Sequence, residues 1–325
     1  MPLHGGLPST VEAASREDSV DTLASSEESR ELMSIESMAN KLIVPASMPG
    51  RVMQALVGTG EQLIAKGRIN SSHRIAGHEG VEIEAWVLNS RLVGQIGDDP
   101  VVRKITRGTV LLVHPLMASK PWFLAVGEKL AHLGWDVVLP ELRGHGNSGG
   151  RYITWGAKEK HDLKAVMDRL TEQKLVSERI FVIGSSLGGA VAVQYAAIEP
   201  HCRGVMALAP PKSARAICRR ILMLASPRKI EAALSLAIRM ADFDPDDASA
   251  EASATGLRCP LLLIHGLLDF IVPYNHGQAI YRACRGTKKL QTDFLRGHSL
   301  EFCRDAWVVK QFGELQKLAA GTGDC

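Results

Sequence analysis

Apolar positions along this chain recur with two periods, and the change from one to the other sets the architecture. From His73 to Leu88 they alternate: two runs, at 73–76 and 81–88, flank a His-Glu-Gly turn, which predicts an antiparallel hairpin. Beyond residue 105 short continuous apolar runs take over, each followed by a stretch with helical spacing. Residues 110–114, 135–139, 180–183, 204–209 and 261–265 read as buried strands, and 292–295 as a last, weaker one. Helical spacing covers 121–133, 157–175 and 306–318. A hairpin followed by regular β–α alternation predicts an α/β fold: a mostly parallel central sheet flanked by helices on both faces.

Two regions break that rhythm. Residues 1–38 are rich in Ser, Glu and Ala and nearly free of aromatics, the composition of a disordered tail with transient helix. An N-terminal helical segment over 39–72 follows, in which 52–65 reads as one amphipathic helix packed on the domain rather than a membrane anchor. The main domain is expected over 73–320. Within it, 211–256 inserts two apolar helical stretches, 217–224 and 230–240, between adjacent strands, a small helical cap over the sheet's carboxyl edge. The insertion opens with six basic residues (Lys212, Arg215, Arg219, Arg220, Arg228, Lys229) and closes with Asp242, Asp244, Asp246, Asp247 and Glu251.

Composition narrows the function classes. Of 325 residues 46% are hydrophobic and 22% charged, which suits a globular protein with a sizeable core. A net charge of +3, scattered along the chain, argues against nucleic acid. No apolar run reaches the roughly 18 residues a membrane span needs. The acidic, Ser-rich start lacks a basic and apolar leader, so no secretory signal is expected. The six cysteines have no metal-binding spacing, and Cys259 and Cys303 sit in apolar surroundings, so a reducing, cytoplasmic setting is expected.

The candidate chemistry centres on Gly184-Ser-Ser186-Leu-Gly188, a G-x-S-x-G sequence with a β-branched run before it and small residues at helical spacing after it. A serine on such a sharp strand-to-helix turn stands proud of the sheet beside a helix N-terminus that favours an oxyanion. The pattern alone is weak, with on the order of 0.1 chance matches expected in a chain this long. A second match, centred on Ser148, lacks both the strand and the helix. Ser186 is therefore the nucleophile candidate.

Its partners follow from where reactive groups collect, in the loops beyond strand carboxyl ends. After 261–265 the one carboxylate is Asp269, and after 292–295 the one imidazole is His298. No carboxylate follows 204–209. The order Ser186, Asp269, His298 is that of an α/β-hydrolase triad. The oxyanion hole needs the N–H of Leu187 and one from the loop after 110–114, where Pro115 cannot donate and Leu116 is the candidate, with Met117 behind it. His114, His132, His145 and His265 are expected to orient loops or pack, and His276 to lie at the surface.

Over roughly residues 70–320 the chain resembles the α/β-hydrolase superfamily. The stretch Pro140-Glu-Leu-Arg-Gly-His-Gly-Asn-Ser148, the elbow and His265-Gly-Leu-Leu-Asp-Phe-Ile-Val-Pro273 are similar to its monoglyceride lipase, esterase and serine-aminopeptidase-like branch. The resemblance implies a serine hydrolase with a helical cap and neither metal nor organic cofactor. It departs at Pro115, where the branch carries glycine, and at Glu141, where it carries aspartate. The expected reaction is hydrolysis of a carboxylic ester with a short- to medium-chain acyl group, on a small-molecule or lipid-like substrate. The basic start of the cap keeps a phospholipid or acyl-CoA thioester open, as it does a peptidase or amidase of the same fold, and a non-catalytic ligand-binding member.

Overall fold

A computed structural model of the chain describes residues 14–45, 47–91, 93–96, 99–293, 297–298 and 305–321. Eight strands form one sheet in the order β1-β2-β6-β5-β7-β8-β9-β10. The hairpin is β1 (Ser71–Ala76) and β2 (Glu82–Leu88), and β2 also pairs antiparallel with β6 (Asp136–Pro140). From β6 outward every pairing is parallel, through β5 (Thr109–Val113), β7 (Ile180–Ser185), β8 (Cys202–Leu208), β9 (Leu261–Gly266) and β10 (Lys288–Asp293). A separate antiparallel pair, β3 (Val93–Ile96) and β4 (Asp99–Lys104), has no counterpart in the hydrophobic pattern.

The continuous apolar strands serve two cores, one on each face. Ile180 and Val182 of β7 join the larger cluster, while Phe181 and Ile183 point into the other. On the larger side pack α5 (Glu159–Glu172), α6 (Leu187–Ile198) and α10 (Tyr274–Ala283), together with the cap. On the other side lie α3 (Gly60–Ala65), α4 (Leu124–His132) and α11 (Asp305–Ala320). There Trp135, Phe181 and Phe312 meet edge to face, with ring centroids 5.1 to 5.5 Å apart. That is the geometry ring quadrupoles favour.

Several expectations change. Residues 52–65 are not one helix: α2 (Ser47–Val57) ends at Gly58, at φ 111°, and Thr59 caps α3 by accepting the Gln62 N–H. The last strand starts earlier than expected, at Lys288, because pairing with β9 rather than its own apolar content defines it. Its expected end at 294–295 falls outside the described residues, as do residues 1–13, Cys303 and Cys325. The cap contains three helices, α7 (Ala214–Ile221), α8 (Pro227–Ala241) and α9 (Ala250–Ala254).

The expected tail over 1–38 becomes, from residue 14, helix α1 (Ala14–Ile43). Its apolar residues Ile35, Met38, Ala39, Leu42 and Ile43 recur at three- and four-residue steps, which puts them on one face. Ala39, Leu42 and Ile43 are buried, and Ile35 and Met38 pack against the same cluster. The indole of Trp155 donates to the Leu42 carbonyl (3.0 Å) and the Ile153 N–H to that of Ile43 (2.8 Å), which ties down two of the helix's last carbonyls. Burying Leu42 and Ile43 contributes about 1.5–3 kcal/mol each. Composition underrated this segment because its few apolar residues fall on one stripe. That stripe lies along α8 of the cap.

Candidate active site

Strand β7 runs directly into Ser186, which takes φ 52° and ψ −117° before α6 begins. A non-glycine residue held there stores about 1–3 kcal/mol of strain, sustained only where the surroundings fix it. The Ser186 N–H donates to the Leu208 carbonyl (2.7 Å), and the Ser186 carbonyl accepts the Ala190 N–H (3.0 Å). The flanking glycines permit the crossing. A Cβ on Gly184 would lie 2.0 Å from the Gly188 carbonyl oxygen, and one on Gly188 2.2 Å from that of Val113. Any side chain at either position would push α6 off the sheet. Ser186 is 9% exposed.

Asp269 sits just past β9 and is buried. Its Oδ1 accepts the N–H groups of Ile271 (3.0 Å) and Val272 (2.8 Å), which aims Oδ2 at His298 Nδ1, 2.7 Å away. His265 Nε2 is 3.5 Å from the same Oδ2 and 2.8 Å from the Val272 carbonyl. An imidazole nitrogen facing a carbonyl must carry the proton, so His265 donates from Nε2. Burial pushes the Asp269 carboxyl up, but hydrogen bonds from His265, His298 and the Val272 N–H outweigh it and hold the group well below the usual carboxylate range. Asp269 is ionised at neutral pH.

That charge fixes the His298 tautomer. With the proton on Nδ1 facing Asp269, Nε2 is free to accept, and it lies 3.0 Å from Ser186 Oγ. The three residues singled out in the sequence are thus within hydrogen-bond reach as a chain. The other serines are not part of it. Ser148 Oγ donates to the Glu141 carbonyl (2.8 Å) and accepts the Glu84 N–H (3.0 Å), a structural role in the turn after β6. Ser185 is buried with its hydroxyl unpaired.

The loop after β5 carries Leu116, half-buried, and Met117 at φ 62°. His114 sets the start of that loop. Its Nδ1 donates to the Pro115 carbonyl (2.9 Å) and its Nε2 accepts the Leu142 N–H (3.0 Å). Burial, with positive charge on His145 and Lys120, pushes the His114 pKa well down, so the ring stays neutral and can play both parts. Leu187 is the first residue of α6, where backbone N–H groups have no intrahelical acceptor.

Three findings correct the sequence reading of the surroundings. His276 is buried, not superficial, and its Nδ1 accepts the Lys212 N–H at 3.2 Å. The basic start of the cap is largely neutralised locally, by Lys212 with Glu251 (3.4 Å), Arg215 with Asp246 (2.8 Å) and Arg219 with Glu231 (2.9 Å). Arg220 donates to the Phe270 carbonyl (2.5 Å) and so ties α7 to the loop of Asp269. The acidic run closing the insertion was the signal for this pairing. Finally, Leu234 is buried in the core rather than available to a pocket, packed with the cap and α1.

Among the described residues no cluster of His, Cys, Asp and Glu has the geometry to hold a metal ion, and no helix is long and apolar enough to cross a membrane. Residues 104–245 match a family model described as serine aminopeptidase, S33. That span includes Ser186 and ends before Asp269 and His298. The chain is 24% identical over 262 residues to an uncharacterized protein of Bacillus subtilis (strain 168), YqkD, covering 78% of this chain and 85% of that one. It is 29% identical over 136 residues to Lipase 3 of Moraxella sp. (strain TA144), covering 41% of each. Among solved structures, the Pyrococcus furiosus esterase Pf2001 superposes with a TM-score of 0.57 at 22% identity, over 76% of this chain and 91% of that one. An acetyl xylan esterase from Paenibacillus sp. R4 gives 0.56 at 17%, over 74% and 82%. Identities this low establish the fold, and the fold is that of the α/β-hydrolases.

Proposed function

We propose that this α/β-hydrolase-fold chain is a serine hydrolase that cleaves carboxylic esters through an acyl-enzyme on Ser186. One observation carries the reading: a single imidazole, His298, reaches Ser186 Oγ at 3.0 Å with one nitrogen and ionised Asp269 at 2.7 Å with the other. His298 takes the hydroxyl proton as Oγ attacks the ester carbonyl, then gives it to the leaving alcohol. Asp269 holds the tautomer and offsets the imidazolium charge that forms. The N–H groups of Leu187 and Leu116 bind the tetrahedral oxyanion. Water, activated by the same imidazole, releases the acid and restores Ser186.

The esterase and lipase names of the relatives favour an ester over an amide. The acyl-CoA or phospholipid reading rested on the cap's basic residues, and the pairing of Lys212, Arg215 and Arg219 with carboxylates removes that support. A short- to medium-chain acyl group fits, since Leu234 of the cap is committed to the core. Cys202, Cys218, Cys259 and Cys284 are buried free thiols, consistent with a reducing, cytoplasmic setting.

The test is covalent labelling. A fluorophosphonate probe should modify Ser186, located by peptide mass mapping, and a panel of p-nitrophenyl esters should be turned over. A folded chain that neither labels nor hydrolyses any ester would leave only the non-catalytic ligand-binding reading.

A further inference from the structure

The loop that carries Leu116 is fastened at its far end by charges where an apolar core would ordinarily stand. Lys120 is 1% exposed, Glu141 0% and Glu84 6%. The Lys120 ammonium is ion-paired with Glu141 Oε2, lies 3.2 Å from Glu84 Oε2 and sits 4.7 Å above the Trp86 ring. It also donates to Gln54 Oε1 at 3.4 Å. The Lys120 backbone N–H donates to Glu141 Oε1 (3.2 Å), and the Asn147 N–H to Oε2 (3.4 Å). The Glu141 N–H is in turn held by the Glu84 carbonyl (2.8 Å). One carboxylate therefore ties together the loop after β5, the turn after β6 and strand β2.

Stability does not account for this cluster. Withdrawing three charged groups from water costs several kcal/mol each, and well-packed apolar residues often serve a fold as well or better. What the charges add is direction. Glu141 takes both the side chain and the backbone N–H of Lys120, which fixes the end of the loop in position and rotation. Leu142, the next residue, supplies the N–H that pins His114 at the loop's start. Between these clamps the backbone must pass through Met117 at φ 62°, unfavourable for a side chain as long as methionine. A loop held at both ends on one rigid strand end can present an N–H at a fixed point, as oxyanion binding requires.

We propose that the buried Lys120–Glu141 pair, backed by Glu84, is a positioning device that sets the oxyanion-binding N–H of Leu116. The inference rests on the serine-hydrolase reading above. Its signature is a loss confined to the transition state: kcat falls while KM holds. Removing one oxyanion donor outright costs about 10²–10³ in kcat, so a displaced donor should cost between about tenfold and that limit.

The single variants Lys120→Met and Glu141→Gln each strand a buried charge and are expected to fold poorly. The informative variant is the triple change Lys120→Met, Glu141→Gln, Glu84→Gln, which leaves none. The wild-type chain is first shown to label Ser186 with a fluorophosphonate, since failure there sinks the hydrolase reading and not this one. The triple variant should keep its melting temperature within a few degrees and KM within about twofold, and lose at least about tenfold in kcat. The Ki of a trifluoromethyl ketone, which forms a tetrahedral adduct on serine, should rise by the same factor. A purely structural cluster would shift the melting temperature and leave kcat of the folded fraction and the Ki alone, which overturns the proposal. If the triple variant does not fold, Glu141→Asp decides. It keeps the charge and shortens its reach by one methylene, so an unchanged kcat overturns the proposal and a fall at constant KM upholds it.

Discussion

Acid should destabilise this protein in part through one imidazole, His276. Its side chain is 6% exposed on the first turn of α10, and Nδ1 accepts the Lys212 N–H. Burial lowers its pKa, the charges of His265, Lys212 and Arg220 lower it further, and Asp269 pulls the other way, leaving a value of about 4. In the unfolded chain the same ring titrates near the ordinary value of about 6.5. Between those two values the unfolded state holds a proton that the folded state lacks, so stability falls as pH falls. The contribution is intact above about pH 6.5 and lost by about pH 4. At about 1.36 kcal/mol per pKa unit, a gap of about 2.5 units sets a ceiling of about 3.4 kcal/mol, of which about 2.5 is gone by pH 4.5. The assay is urea unfolding followed by circular dichroism from about pH 8 to about pH 4.5, on the wild type and on His276→Asn. The asparagine oxygen accepts the Lys212 N–H but does not titrate. The wild type should lose about 2.5 kcal/mol more than the variant over that range, and parallel losses would refute the reasoning.

The remaining predictions concern the site and helix α1. Ser186→Ala should abolish ester hydrolysis and probe labelling, whereas Ser185→Ala should keep both; Ser148→Ala should keep labelling but lower the melting temperature, because two backbone groups lose their partner. Asp269→Asn should fold yet lose about 10⁴ in kcat, the cost in the serine-protease worked example, with Asp293→Asn far milder; the reverse order, read from kcat at unchanged circular dichroism, would reassign the acid. Leu42→Ala should cost about 2–5 kcal/mol in urea unfolding, the range for a buried leucine; a change near zero would mean that α1 contributes nothing to the fold.

What could be read from the sequence was whatever the local pattern decides. The β7 run, Gly184, Gly188 and the small residues of α6 announce a tight crossing, because only glycine leaves room for it. Asp269 and His298 could be picked out because each is alone in a loop at the productive end of a strand. What could not be read depends on partners distant in sequence. Nothing near Lys120 shows that its ammonium is met by carboxylates from β2 and the end of β6. His276 looks like a residue on an ordinary polar helix start until α10 is docked with Lys212 facing it. The basic residues opening the cap looked available because their carboxylate partners lie 12 to 39 residues further on.

Helix α1 changes where discrimination between acyl groups can arise. Read alone, the cap carries more apolar surface than a helical pair needs, which suggested that α8 lines an acyl pocket. In the fold that surplus has a cover. Ile217, Leu222 and Leu234 are buried, and the stripe of Ile35, Met38 and Leu42 lies along α8. A charge at Leu234 would therefore break the core rather than retune a pocket. The large apolar side chains exposed on the triad loops are Met117 after β5 and Leu267, Leu268, Phe270 and Ile271 around Asp269. Ile221 and Met223 at the end of α7 are exposed as well, and Arg220 fastens that end to the Phe270 carbonyl. Under the ester reading, an acyl chain leaving Ser186 meets these residues first. At about 0.8 kcal/mol per fully buried methylene, partial cover by exposed side chains yields only part of that gain per carbon. The chain-length preference is then shallow and belongs to the catalytic loops, while α8 and α1 hold the cap in place.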